Sequence, residues 1–282
     1  METAPLDLVA AALRADPERA RPALLAPAGP RPILLALVLL NQEWARVPET
    51  VSQPMPGLIR LQWWRDGIDA AAEGGAPPPH PLLDALKAPL AAGRLRAQDL
   101  HAMIEAREAE LEGLAPENLD ELAAYVDATA GTLQRTWIDA LAPPSGGGPW
   151  REAAAAAGRA FGLLGVVRAI GHQAAMRRVL LPRDLLASAA IAPETIIARQ
   201  GEERLSRVVE RVVERAEAAI GEVARAGKPP AALMPAFLIL GEARRHAGAL
   251  RRAGFSAEAA ARLAPPPFAG IRHLGRLLAR RP

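Results

Sequence analysis

Residues 41–66 of the chain read NQEWARVPETVSQPMPGLIRLQWWRD, and this stretch carries the strongest fold signal in the sequence. It holds three of the five tryptophans, Trp44, Trp63 and Trp64. Apolar residues recur at helical spacing on both sides of a proline-rich turn, which predicts two helices joined by that turn. Core packing between helices explains the tryptophans, but it explains less readily why so many charged residues stand beside them.

The rest of the chain has the same helical pattern. Half of the 282 residues are apolar, alanine is the commonest residue and aromatic residues make up only 4%, a composition that favours helices over strands. The predicted helices, delimited by proline and glycine, span 5–15, 18–26, 31–47, 56–73, 81–92, 98–113, 118–142, 150–176, 183–189, 193–200, 202–226, 231–253 and 268–280. We predict an all-α fold in a single domain over residues 1–282, with its core at 18–250 and a basic amphipathic tail at 265–282.

Composition also excludes several classes of protein. The chain has no cysteine, so disulfides, thiolate metal sites and a cysteine nucleophile are ruled out. Its net charge is only +3, from 34 basic and 31 acidic residues, and we therefore expect no nucleic-acid partner. The longest apolar runs, 33–40 and 233–240, are far shorter than the roughly 20 residues of a membrane-spanning helix. Residues 1–16 lack the basic start of a signal peptide, so we expect a cytoplasmic protein.

The C-terminal tail has two explanations. Its apolar residues fall on one face of a helix and its arginines on the rest: Ile271, Leu274, Leu277 and Leu278, against Arg272, Arg276, Arg280 and Arg281. A basic amphipathic helix of this kind can lie on anionic lipid, which predicts membrane-surface contact through 271–281. Alternatively, the helix docks on the bundle, and its cations interact favourably with the negative end of the helix dipole.

Three segments resemble the squalene/phytoene synthases, a family of all-α isoprenoid synthases. GLIRLQWWRDGI at 57–68 is similar to the family's helix after its first aspartate-rich motif. FGLLGVVRAIGHQAAMRRVLLPRDLL at 161–186 is similar to the second motif and the segment that follows it. Tyr125, with ATAG at 128–131, is similar to a tyrosine-containing segment between the two. The order and separation of these segments fit the family, which implies a helical bundle around a central cavity.

The resemblance also implies where catalytic residues would lie. Active members carry Asp-x-x-x-Asp on two helices, whose carboxylates face each other and hold the Mg²⁺ that binds a substrate diphosphate. The matching positions here are Ala45 and Glu49 in the first motif and Ala169 and Gln173 in the second, so one carboxylate remains of four. We therefore expect no cofactor and no metal site, and we assign no catalytic residue.

The differences from active members resemble a particular branch of the family. Four residues, Asn41, Glu43, Arg46 and Glu49, followed by Val51-Ser52, resemble a non-synthase branch related to the mitochondrial assembly factor of respiratory complex I. This resemblance implies a non-catalytic binding or assembly factor, peripheral to the inner membrane, whose partners are complex I subunits or assembly intermediates. The candidate binding residues are Glu43, Arg46, Arg60, Trp64, Arg168, His172 and Arg178.

Two alternatives stay open. One is an active prenyl-diphosphate transferase in which Glu49, His172 and Gln173 supply the Mg²⁺ ligands. Neutral histidine and glutamine are poor ligands for this hard cation compared with carboxylates, so this alternative ranks second. The other is an isoprenoid- or lipid-binding carrier that keeps the apolar cavity without the reaction, since a fold does not fix a function.

Overall fold

Every regular element in the described part of the protein is helical. The computed structural model describes residues 7–113, 115–142, 147–263 and 268–279. The helices are α1 (Leu8–Ala15), α2 (Pro17–Leu24), α3 (Arg31–Thr50), α4 (Pro54–Ala72), α5 (Pro81–Ala91), α6 (Ala97–Leu111), α7 (Leu119–Val126), α8 (Thr132–Leu141), α9 (Gly148–Ala175), α10 (Arg183–Ser188), α11 (Pro193–Ile197), α12 (Glu202–Arg225), α13 (Met234–Phe237), α14 (Ile239–Arg252), α15 (Ala257–Ala261) and α16 (Ala269–Ala279). The predicted all-α fold is confirmed.

Helix α9 lies at the centre of the bundle and contacts α8, α12, α14 and α15. Its run of five alanines, Ala153–Ala157, is buried throughout. Such small side chains add little bulk, so neighbouring helices approach α9 closely. Helix α12 covers α9 with a stripe of buried valines that repeats at helical spacing, as its sequence pattern predicts.

Helices α3 and α4 form the hairpin that the opening stretch predicts, and an aromatic cluster holds them together. The Trp44 and Trp64 rings meet edge to face at 6.3 Å between centroids, and Trp63 packs on Trp64 at 4.9 Å. Trp44 and Trp64 are almost fully buried. Helix α3 continues to Thr50, three residues beyond its predicted end, so Glu49 lies on the same helix as Ala45.

The prediction of one continuous helix at 118–142 is wrong in the middle of that range. Helix α7 gives way at Asp127–Gly131 to a single turn of π-helix before α8 begins. Within this turn the side-chain hydroxyl of Thr132 donates to the Asp127 carbonyl oxygen at 3.1 Å. A π turn accommodates one more residue than an α turn, and nothing in the apolar spacing of the sequence marks it.

The predicted helix at 231–253 is also interrupted. A short 3₁₀ turn at Ala231–Leu233 leads into α13, and the chain bends at Leu238 before α14. Pro235 lies in this region, and its ring prevents a regular helical hydrogen bond. Helix α15 was not predicted, because it has only five residues and alanine-rich sequence carries little periodic signal.

Candidate functional site

A cavity of about 290 Å³ lies between α3 and α9, and α6, α7 and the π turn enclose its other sides. All four positions at which the sequence resemblance predicts metal-binding aspartates line it. Ala45 and Glu49 contribute from α3, and Ala169 and Gln173 contribute from α9. Spacing of four residues places each pair on one face of its helix, and the two faces meet across the cavity.

A hydrogen-bonding contact between the two helices bridges the exposed end of the cavity. The His172 Nε2 atom lies 3.2 Å from the Glu49 carboxylate, and both side chains are partly exposed. His172 lies between Ala169 and Gln173 in the sequence. The one carboxylate at the four motif positions therefore already has a partner from the opposite helix.

A buried acid forms the polar end of the cavity. The Glu110 carboxylate, on α6, accepts hydrogen bonds from Arg107 and from the Tyr125 hydroxyl. Arg178 donates to both the carboxylate and the backbone carbonyl of Glu110, at 3.3 and 3.2 Å. Two guanidinium groups share one carboxylate here, so the cluster keeps an excess positive charge that an anionic group could neutralise.

A further cation, Arg19, faces the cavity from α2. Its guanidinium lies 4.6 Å above the centre of the Phe161 ring and is paired with Asp16 at 2.7 Å. Gln42 of α3 also donates to Asp16, at 3.2 Å. The Arg19 side chain is thus held in place by a stacking contact and by an acid that is itself bound to α3.

A comparison with models of protein families identifies the family to which the chain belongs. A family model described as squalene/phytoene synthase matches residues 13–268. The chain belongs to the squalene/phytoene synthase family. The resemblance that the sequence motifs indicated is confirmed.

The similar curated proteins include both an assembly factor and a synthase. NADH dehydrogenase (ubiquinone) complex I, assembly factor 6 from Bos taurus is 28% identical over 193 residues, which is 68% of this chain and 57% of that protein. Presqualene diphosphate synthase from Rhodopseudomonas palustris is 31% identical over 161 residues, 56% of each chain. The chain therefore spans less than two thirds of the length of these curated relatives.

Solved structures confirm the isoprenoid-synthase fold. Squalene synthase HpnC from Alicyclobacillus acidocaldarius superposes with a TM-score of 0.74, over 88% of this chain and 93% of that one, at 18% identity. At this level of identity the similarity concerns the fold alone. The fold is thus that of the squalene/phytoene synthases, with the central cavity where the family resemblance predicts it.

Among the candidate binding residues, the structure brings only some to the cavity. Arg178 lines it, and His172 lies at its exposed end. Arg168 does not line it, because its guanidinium is paired with Glu18 of α2 at 2.7 Å.

The candidates on α3 and α4 lie outside the cavity as well. Arg60 pairs with Glu43 at 2.9 Å on the surface between the two helices. Arg46 is exposed, and Trp64 belongs to the buried aromatic cluster. These residues connect or flank α3 and α4, and none of them lines the cavity.

The cavity residues do not fit the Mg²⁺ that the family implies. Ala45 and Ala169 offer no ligand atom, Gln173 offers a neutral amide, and Glu49 is engaged by His172. Mg²⁺ needs oxygen ligands in near-octahedral geometry, usually with carboxylates among them. In the described ranges, the one group of three acidic or histidine side chains close enough to share a metal lies outside the cavity lining: Glu18, Glu242 and His246.

That second group is a buried salt-bridge network. Glu18 accepts from Arg168 at 2.7 Å and from Arg245 at 3.1 Å, and His246 Nε2 lies 3.0 Å from it. Burial would raise the pKa of Glu18, but the hydrogen bonds and positive charges of His246 and Arg168 outweigh it and lower the pKa to about 2. Arg168 and Arg245 contact the Glu18 carboxylate, and Arg245 also contacts the Glu242 carboxylate at 2.8 Å, so arginine cations already balance these buried acids.

Several cavity residues were missed by sequence reasoning. Arg107 and Glu110 look like an ordinary pair three residues apart on a helix surface. Only the fold shows that Glu110 is buried and that Arg178 approaches it from a segment 68 residues away. Tyr125, singled out by the family resemblance, provides the hydroxyl of this cluster.

Among the described helices, α9 alone is long and apolar enough to span a membrane. Of its apolar window, 72% is buried inside the protein. Central helices of water-soluble bundles share these properties, so the length and composition of α9 are weak evidence for a spanning segment.

Proposed function

We propose that this member of the squalene/phytoene synthase family is a non-catalytic binding or assembly factor of the complex I type. The observation that carries the proposal is the composition of the cavity wall. Of the four positions at which the family's metal motifs would lie, only Glu49 has a carboxylate, and it is paired with His172. The cavity of the synthase fold is kept, while the groups that would hold a metal–diphosphate complex are replaced.

Electrostatics explains why this composition argues against catalysis. Departure of a diphosphate adds a negative charge to a group that already carries several, and divalent cations held by opposing carboxylates stabilise this charge. Arg107 and Arg178 can attract an anion into the cavity, but both are shared with Glu110. Binding an anion in the ground state does not by itself stabilise its departure, since only interactions that strengthen in the transition state accelerate the reaction.

The similarity to relatives named as assembly factor 6 of complex I supports the assembly role. By analogy, the partners would be complex I subunits or assembly intermediates, and the protein would be cytoplasmic and peripheral at the inner membrane. Because the chain spans only 57% of the bovine relative's length, these partners and this location belong to the proposal.

An active prenyl-diphosphate transferase is the alternative, and the similarity to presqualene diphosphate synthase favours it. In that case Glu49, His172 and Gln173 would have to supply the Mg²⁺ ligands. A carrier for an isoprenoid or another lipid is a third possibility, which the retained cavity favours. The three functions differ in whether pyrophosphate is released and whether complex I assembly depends on the protein.

The first test measures Mg²⁺-dependent release of pyrophosphate from farnesyl or geranylgeranyl diphosphate. We expect no release above a protein-free blank, because a single engaged carboxylate does not hold the cation. A variant carrying Ala45→Asp, Ala169→Asp and Gln173→Asp is the matched control. It should show a rise in melting temperature with Mg²⁺ that the unmodified chain lacks, because it restores the carboxylates. Steady release by the unmodified chain, lost on Glu49→Ala, would establish the transferase instead.

The second test measures assembled NADH dehydrogenase in a deletion strain of the source organism. We expect less assembled complex and unchanged terpenoids, and both the unmodified chain and Glu49→Ala should restore assembly, since no metal-dependent step is involved. Normal complex levels in the deletion strain would rule out the assembly role. If the unmodified chain restores assembly and the Glu49→Ala variant does not, then the Glu49 carboxylate is required for the function.

A further inference from the structure

Helix α16 is amphipathic, but its apolar face points away from the protein. Four large apolar side chains on this face are 43–77% exposed. We call them the α16 ridge: Phe268, Ile271, Leu274 and Leu278. A helix that docks on a bundle to complete its core does the opposite, placing its apolar stripe inward and its charges in water. Within the described residues, no other element covers the ridge.

The inner side of α16 is polar. Buried His273 lies with its Nε2 atom 3.5 Å from the carboxylate of Glu242 on α14, and Arg272 lies 3.7 Å from the same carboxylate. The Arg276 guanidinium lies directly over Gly241 of α14, where a side chain would collide with it. His273 and the Arg276 guanidinium therefore lie on the inner side of α16, which also packs against α2, and the ridge lies on the outer side.

Positive charge lies along one side of the ridge. Burial, together with the charges of Arg276, Arg272 and Arg21, lowers the pKa of His273, so several arginines lie close to this one ring. The carboxylate among them, Glu242, is almost fully buried beneath α16. Two more arginines, at 280 and 281, follow in the sequence and lie outside the described residues. An outer surface with an apolar ridge and a basic margin complements an anionic surface with an apolar interior.

We propose that α16 lies in the interface of an anionic phospholipid bilayer. The α16 ridge enters the boundary between headgroups and acyl chains, and the exposed Arg272 beside it contacts phosphate groups. Membrane-surface helices combine an apolar face with a basic polar face in this way, and both parts contribute to binding. Anionic lipid is the occupant that satisfies both, because a neutral apolar partner would leave the excess of arginines over the single carboxylate of Glu242 unbalanced.

The absence of cysteine permits a site-specific test on the full chain. Leu278→Cys provides a single thiol for an environment-sensitive fluorophore, and Ile59→Cys, on the exposed face of α4, is the matched control. With vesicles of phosphatidylcholine and phosphatidylglycerol, we expect a blue shift at position 278 and none at 59. Vesicles of phosphatidylcholine alone should give a much smaller shift, and added salt should weaken binding. An unchanged spectrum at 278, or equal shifts with both vesicles, would overturn the proposal.

Co-sedimentation with the same vesicles measures the contribution of the ridge. Replacing Ile271 and Leu274 by serine should weaken binding to anionic vesicles about a hundredfold, roughly tenfold for each buried side chain. Met55→Ser with Ile59→Ser removes exposed apolar residues of similar size from α4 and should leave binding unchanged. If the ridge variant binds vesicles normally but changes the chain from dimer to monomer, the ridge is an interface between copies and the proposal is wrong. The Glu49→Ala variant should bind vesicles normally whether or not the cavity has an activity. A failure of this proposal can therefore be distinguished from a failure of the proposed function.

Discussion

Replacing Glu18 by glutamine should lower the free energy of unfolding by about 3–5 kcal/mol, because it removes a buried anion that pairs with the half-buried guanidinium groups of Arg168 and Arg245. Glu18 is 6% exposed and accepts contacts from Arg168, Arg245 and His246. Glutamine has nearly the same shape but no charge. Arg245 retains Glu242 at 2.8 Å, whereas the guanidinium of Arg168 loses its acid. Urea unfolding at pH 7, followed by tryptophan fluorescence, measures the change.

Glu43→Gln is the matched control for this substitution. Glu43 also pairs with an arginine, Arg60, at 2.9 Å, but both side chains are exposed, so the expected loss is about 1 kcal/mol or less. Equal effects at the two positions would show that burial of Glu18 contributes nothing.

The stability should also depend on Glu18 in acid. Its pKa is lowered from 4.5 to about 2 in the folded protein, so its contribution is complete above pH 4.5 and is lost as the pH falls towards 2. The Glu18→Gln variant has no such group, and the gap in stability between the two proteins should therefore close over this interval. A gap that stays constant down to pH 2 would contradict the role assigned to the carboxylate.

The second large effect is expected at Gly158, where α9 meets the π turn. A Cβ atom at this position would overlap the carbonyl oxygen of Ala130 and lie 2.8 Å from its carbonyl carbon. Because the obstacle is backbone, α9 or the π turn has to move. We expect Gly158→Ala to lower the free energy of unfolding by about 1–3 kcal/mol, as other overpacked sites do.

Gly171→Ala, in the same helix, separates this steric effect from helix propensity. A Cβ at Gly171 meets nothing within 4 Å, so alanine there should stabilise the protein by up to about 1 kcal/mol. Urea unfolding of the two variants under identical conditions gives the comparison. Similar stabilisation by both substitutions would mean that α9 and the π turn are not in close contact.

The sequence predicts the parts of this structure that depend on local spacing. Residues four apart lie on the same face of a helix. The sequence alone therefore predicts that Ala45 and Glu49 lie on one helix face, and that Ala169 and Gln173 lie on another. The family resemblance then places the two pairs across one cavity, as observed. The hairpin of α3 and α4 follows in the same way from the proline-rich turn and the tryptophans.

The features that were missed depend on long-range contacts. Arg168 looked like a cavity residue, but its partner Glu18 lies 150 residues earlier in the chain. The burial of Glu110 and the outward face of α16 also depend on which elements pack nearby. Periodicity shows that a helix has an apolar side, but it does not show whether that side meets the protein or its surroundings.

The π turn lets the side chains on its two sides point in different directions. Each residue of an α-helix advances the rotation by about 100°, so one extra residue changes the angular phase of everything that follows. Helix α7 can therefore direct Tyr125 towards the cavity, while α8 directs Trp137 into the core. The Asp127 carboxylate stabilises the π turn by accepting hydrogen bonds from Arg135 at 2.8 Å and from Arg159 of α9 at 2.5 Å. A deletion of one residue here would restore an uninterrupted helix and turn either the tyrosine or the tryptophan out of position.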